Sequence, residues 1–158
     1  MEFTVKSGNP EKQRTACLVL GVYESRRLTP AAEHFDTACG GYLGTLLRRG
    51  DLEGRVGQSL LLFNVPEALC ERVLLVGCGR EREVDSRRFR QIMHHAASAL
   101  NETGAADAVV YLTDLAVKGR ELNWKIRQLV EVFEESRYRF DALKSKKDAP
   151  RRFPRKII

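Results

Sequence analysis

Four short, almost unbroken apolar runs constrain this chain most: ACLVLGV at 16–22, LLLFNV at 60–65, VLLVG at 73–77 and AVVYL at 108–112. A strand with one face in water alternates polar and apolar side chains. A strand covered by helices on both faces loses that alternation and fills with Val and Leu, as in parallel sheets. The four runs are therefore read as interior strands. EFTVK at 2–6 does alternate and is read as a half-buried strand.

Helical patterns fall between the runs. Thr29 and Pro30 form a cap and first position for a helix through AAEHFDTACGGYLGTLLRRG, with Gly50 as its stop and Gly40-Gly41 as a kink or split. GDLEGRVGQ at 50–58 reads as a loop. From Asp85 to Asn101, Phe89, Ile92, Met93, Ala96, Ala97 and Leu100 recur at one-face helical spacing, with Asp85 as cap and Gly104 just past the end. A last helix over roughly 120–142 places Leu122, Ile126, Leu129, Val130, Phe133 and Phe140 on one stripe. Strands alternating with helices predict an α/β layered domain, its mainly parallel or mixed central sheet flanked by helices. No internal repeat is present.

Charge is distributed unevenly. The net charge is +6. Residues 144–158 hold seven Lys or Arg against one Asp, which is +6, and leave 20 basic and 20 acidic side chains in residues 1–143. The body is neutral, so a polyanion partner does not follow from the overall balance. The apolar runs are far too short to span a bilayer. The first fifteen residues are mixed and polar, so no signal peptide is expected and the cytoplasm is the expected compartment.

Several features bear on function. VLLVGCGRER puts Gly77 and Gly79 after a buried strand, where a dinucleotide-binding turn would begin. Arg82 replaces the third glycine, and the turn lies eight residues before the helix cap. The turn is read as a plain strand end, with phosphate cradling as the competing possibility. Helix 85–101 has no acid from Ser86 to Asn101, and its polar face carries Arg87, Arg90, Gln91 and His94, flanked by Arg88 and His95. Arginines in a first turn oppose the helix dipole at about 0.3–1 kcal/mol each when exposed. A face that meets phosphates would account for them, and so would a solvated face. Trp124 lies about 160° from the stripe of its helix, so it is read as an interface residue or as packed beneath a loop.

Catalytic patterns do not assemble. Cys17, Cys39, Cys70 and Cys78 lack short metal or redox spacing and are read as small hydrophobes. His34, His94 and His95 form no recognisable triad with them, and no Walker, His-Glu-X-X-His or Gly-X-Ser-X-Gly motif occurs.

The segments MEFTVKSGNPEKQRTACLVLGVYE, RRGDLEGRVGQSLLLFNVP, ERVLLVGCGREREVDSRRFRQ and LNWKIRQLVE resemble the amino-terminal domain of bacterial leucyl aminopeptidases. The resemblance implies a macro-domain-like fold within a two-domain subunit of a homohexamer. It places catalysis in a separate carboxy-terminal domain with two divalent ions (zinc, manganese or magnesium), a lysine-arginine pair and an Asn-Thr-Asp-Ala-Glu-Gly-Arg signature. None of those residues occurs here, so no catalytic or metal ligand is carried over and no cofactor is expected in this chain.

The resemblance also implies double-stranded DNA as a partner in some relatives, in site-specific recombination and transcriptional control. The residues expected to meet it are Arg87, Arg88, Arg90 and His94, with Arg151, Arg152, Arg155 and Lys156 of the tail. Residues 1–143 are then the domain and 144–158 a basic connector, stiffened by Pro150 and Pro154, leading to an absent catalytic domain. Ile157-Ile158 reads as a strand or core segment separated from its partner. The competing class is a small-molecule binder holding an ADP-ribose-type ligand near Gly77–Gly79.

Overall fold

A computed structural model describes the backbone of residues 1–143 and 154–158, with side chains to Tyr138 and from Pro154. In chain order the elements are β1 (Glu2–Phe3), β2 (Cys17–Tyr23), β3 (Arg27–Leu28), α1 (Pro30–Ala38), α2 (Tyr42–Arg48), β4 (Ser59–Phe63), β5 (Arg72–Gly79), α3 (Ser86–Thr103), β6 (Asp107–Val110), α4 (Leu122–Leu143) and β7 (Lys156–Ile157). The strands form one sheet in the order β1-β7-β6-β2-β5-β4, with β3 paired to the end of β2. Its centre is parallel: β2 pairs with both β5 and β6. The expected mixed, mainly parallel sheet between helices is the architecture found.

The apolar runs account for the centre. Every residue of β2 is buried, because its two faces look at two cores. Val19 and Val76 meet Phe89, Ile92, Met93 and Phe133 on the α3–α4 side. Leu18, Leu20 and Leu75 meet Phe35, Leu43 and Leu47 on the α1–α2 side. Gly40 and Gly41 split the first helical segment in two, with φ values of 68° and 81°. The buried Asp36 carboxylate crosses that break and accepts the Leu43 and Gly44 N–H groups at 2.6 and 3.1 Å. It thereby supplies the cap that Gly41 lacks at the start of α2. In α3 the Asp85 carboxylate accepts the Arg88 N–H at 2.8 Å, and Gly104 ends the helix in the left-handed region.

Three expectations are corrected. The run at 60–65 is an edge strand, antiparallel to β5, rather than an interior one. The buried face of α4 is rotated from the predicted stripe. Leu129, Val132 and Phe133 are buried, Ile126 and Val130 only half so, and Leu122 is 52% exposed. The Phe140 side chain lies outside the described residues. Lastly, Ile157 has its partners within this domain. Strand β7 lies between β1 and β6, parallel to both, and Ile157 is 2% exposed. Strand β7 thus links β1 to the rest of the sheet. A two-residue strand carries little periodicity, so only pairing with distant segments reveals it.

Candidate functional site

In open α/β sheets, ligands bind outside the carboxyl ends of strands whose connections leave to opposite faces. The ends of β2 and β5 meet that condition, since β2 leads to α1 on one face and β5 to α3 on the other. Here the crest is filled by the chain itself. The Gly77 N–H donates to the Gln58 carbonyl and the Gly79 N–H to the Gly54 carbonyl, both at 2.8 Å. The Glu24 N–H in turn donates to the Gly79 carbonyl at 2.8 Å. Gly-X-Gly belongs to β5 rather than to a turn beyond it, because segment 54–58 extends its hydrogen bonding to Gly79.

Glycine is required there by contact. A Cβ at Gly77 would stand 2.0 Å from the Arg55 carbonyl oxygen, and one at Gly54 2.1 Å from that of Tyr23. The amides a phosphate would need at the two glycines are therefore already used. Around them runs a lattice of ion pairs. Arg27 pairs with Glu81, Arg80 reaches Glu24 and Glu83 at 3.7 and 3.6 Å, and Arg55 reaches Glu53 at 3.2 Å. Its acids offset its arginines, which leaves little net attraction for an anion.

The arginine-bearing face of α3 divides into two parts. Arg90 turns toward α4, where its guanidinium bonds Gln128 and pairs with Glu131 at 3.3 Å and Glu135 at 3.7 Å. His94 Nε2 lies 3.8 Å from the second oxygen of Glu135. From Ser86 to Asn101 α3 contains no acid, but α4 provides acids from across the helix pair. Arg87 and Arg88 point elsewhere. They share a polar recess with Glu83, Asp85, Gln91 and Lys118, beside which Arg120 Nε donates to Ser86 Oγ at 2.9 Å. Sequence reasoning missed Lys118 and Arg120. Their one signal is the short basic turn VKGR, closed by a bridge between Val117 and Arg120.

The other expected residues are dispersed. Trp124 is half-buried against α3, its ring 5.6 Å from that of Phe89, with the Arg120 guanidinium 4.8 Å above it. It joins the two helices of one chain. Arg155 is exposed while its backbone extends the sheet, and Lys156 lies 4.0 Å from Glu2. Arg151 and Arg152 lie outside the described residues.

Burial pushes the Cys17 and Cys78 thiols up to about 12 and the Cys39 thiol to about 11. Those three remain protonated and inert at neutral pH, as small hydrophobes do. Among the described residues, no three His, Cys, Asp or Glu side chains are grouped to hold a metal ion, so they supply no ligand set for a two-metal centre. No helix described is long and apolar enough to cross a membrane.

Sheet, flanking helices and crest define a macro-domain-like α/β domain. Two macro domains share the fold. That of Mycobacterium tuberculosis DarG matches with a TM-score of 0.65 at 13% identity, over 98% of this chain and 96% of that one. That of ganglioside induced differentiation associated protein 2 matches with a TM-score of 0.66 at 11% identity, over 99% and 75%. Residues 19–147 match the model of the cytosol aminopeptidase family, N-terminal domain, and the chain belongs to that family. A mutant of tomato leucine aminopeptidase matches with a TM-score of 0.70 at 18% identity over 99% of this chain. The chain spans 32% of the tomato protein's length.

Proposed function

We propose that this chain is the non-catalytic accessory domain of a cytoplasmic leucyl aminopeptidase of the bacterial, multifunctional aminopeptidase A kind. In that protein a separate domain would release amino-terminal residues from peptides with two divalent ions, manganese or zinc. The observation that carries the reading is the match of residues 19–147 to the amino-terminal domain of the family. This domain helps to organise a homohexamer and presents basic surface to double-stranded DNA.

The DNA surface is centred on Arg87 and Arg88, with Lys118 and Arg120 beside them. These contacts are to phosphates, which position a duplex and carry little sequence information. One copy is a weak, salt-sensitive binder, and several copies in an assembly act together through avidity. Arg90 and His94 contribute by holding α3 against α4. The ADP-ribose-type reading gains nothing from the crest, where the Gly77 and Gly79 amides already have backbone partners.

The test is a mobility-shift titration at several salt concentrations. R87E/R88E should weaken binding across all DNA sequences and lower the salt slope, with the circular dichroism of the wild type. Unchanged affinity and slope in the folded variant would return this face to solvent.

A further inference from the structure

The composition of β4 and its place in the sheet disagree. Ser59–Phe63 reads SLLLF, the pattern of a strand buried on both faces, yet among the described residues it lies at the end of the sheet with only β5 beside it. Leu61 leans on the α3-side core, Leu60 and Leu62 on the α1-side core, and all three are left half-buried. Phe63 is 57% exposed, and Leu69 on the way to β5 is 48% exposed. Natural sheet edges are usually guarded by charge, proline or a bulge. This strand contains no charged residue and no proline, and its register with β5 is unbroken.

The ladder shows which of its backbone groups are unused. The Gly77 N–H donates to the Gln58 carbonyl, in register with the Ser59–Val76 pairing. Peptide groups alternate along an antiparallel pair, so those of Leu60 and Leu62 face β5. Those of Ser59, Leu61 and Phe63 face outward, and no described backbone group bonds them there.

We propose that this edge is an isologous interface, in which β4 of a second copy of the chain pairs antiparallel about a two-fold axis at Leu61. The strand fits itself in that register. Leu61 stands opposite Leu61 of the second copy, Leu60 opposite Leu62, and Ser59 opposite Phe63. All three outward-facing residues then form hydrogen-bonded pairs, giving on the order of six backbone bonds. Leucine meets leucine on both faces of the joined sheet, and no charge in the strand is buried. A peptide from another protein could also pair with the edge; the self-complementary register favours a second copy. The interface goes beyond the assembly role proposed above, taking from it only the expectation of more than one copy.

Sedimentation of the chain should show its mass rising with concentration from 17.9 kDa toward twice that. The Leu61 and Phe63 amides should gain hydrogen-exchange protection in step, while those of Leu60 and Leu62 do not change. S59K/F63K sets like charges opposite one another at exposed positions and should weaken association at least about tenfold. S59K/F63E sets opposite charges in the same pairs and should recover it. Circular dichroism would establish that both variants are folded. Three results would overturn the interface: a wild type at 17.9 kDa throughout, S59K/F63K associating as tightly as wild type, or S59K/F63E no tighter than S59K/F63K. The second result would leave assembly through another surface intact and remove only this one. Protection that appears with an added apolar peptide and not with concentration would assign the edge to another protein.

Discussion

Gly77→Ala tests whether the crest is a structural joint. The added Cβ would lie 2.0 Å from the Arg55 carbonyl oxygen, whereas real Cβ atoms essentially never approach closer than 3.0 Å. Segment 54–58 would have to retreat by at least the difference, 1.0 Å. It cannot do so freely, because Gly54 is itself packed against the Tyr23 carbonyl. Overpacking of this kind costs about 1–3 kcal/mol. Displacement would also stretch the Gly77–Gln58 and Gly79–Gly54 hydrogen bonds, both now 2.8 Å, at about 1 kcal/mol each. The expected loss is therefore about 3–5 kcal/mol, a large part of the stability of an ordinary domain. Gly104→Ala is the comparison. Its φ is 71° and nothing lies within 4 Å of the added carbon, so only backbone strain of about 1 kcal/mol is incurred. Urea denaturation of both variants measures the difference. A Gly77→Ala loss no larger than that of Gly104→Ala would refute the close-packed joint.

Ile157→Ala should cost about 2–4 kcal/mol by the same denaturation, because the side chain is buried in the sheet between β1 and β6; a change within about 0.5 kcal/mol would contradict its packing there. Arg90→Ala should cost about 0.5–1 kcal/mol, small because the side chain is 34% exposed, whereas Arg87→Ala should stay within about 0.5 kcal/mol; equal effects would contradict the division of the α3 face. Cys70, the one half-buried thiol among three buried ones, should be the only cysteine to react with a thiol reagent in the folded chain. Above the ordinary thiol value of 9.0, an unfolded chain loses protons that the folded Cys17 and Cys78 hold until about 12. Stability should therefore fall as pH rises through that window, by up to about 1.4 kcal/mol per thiol per pH unit, and a denaturation midpoint that stays level across it would contradict their burial.

What could be read from sequence was what local pattern determines. The Phe89-to-Leu100 periodicity and the Asp85 cap defined α3 closely, and the apolar runs located β2, β5 and β6. The same rule misplaced β4, because a leucine run describes a need for cover and not which element provides it. The face of α4 was misjudged for a related reason. Leu122 and Ile126 fit a helical stripe, but packing against α3 rotates Trp124 toward Phe89 and leaves Leu122 exposed. The acids that engage Arg90 stand 41 and 45 residues away on another helix, beyond the reach of any local pattern. The glycines of VLLVGCG were visible, but their cause was not, since it is a carbonyl of residue 55 laid over the strand.

An aminopeptidase assay on the purified chain tests whether the proposed division of labour holds, with the peptidase chemistry in a separate domain. Leucine p-nitroanilide would be incubated with it in the presence of manganese, zinc or magnesium. No release above that of the metal ions alone is expected. Saturable, metal-dependent release that follows the chain through purification would contradict that division.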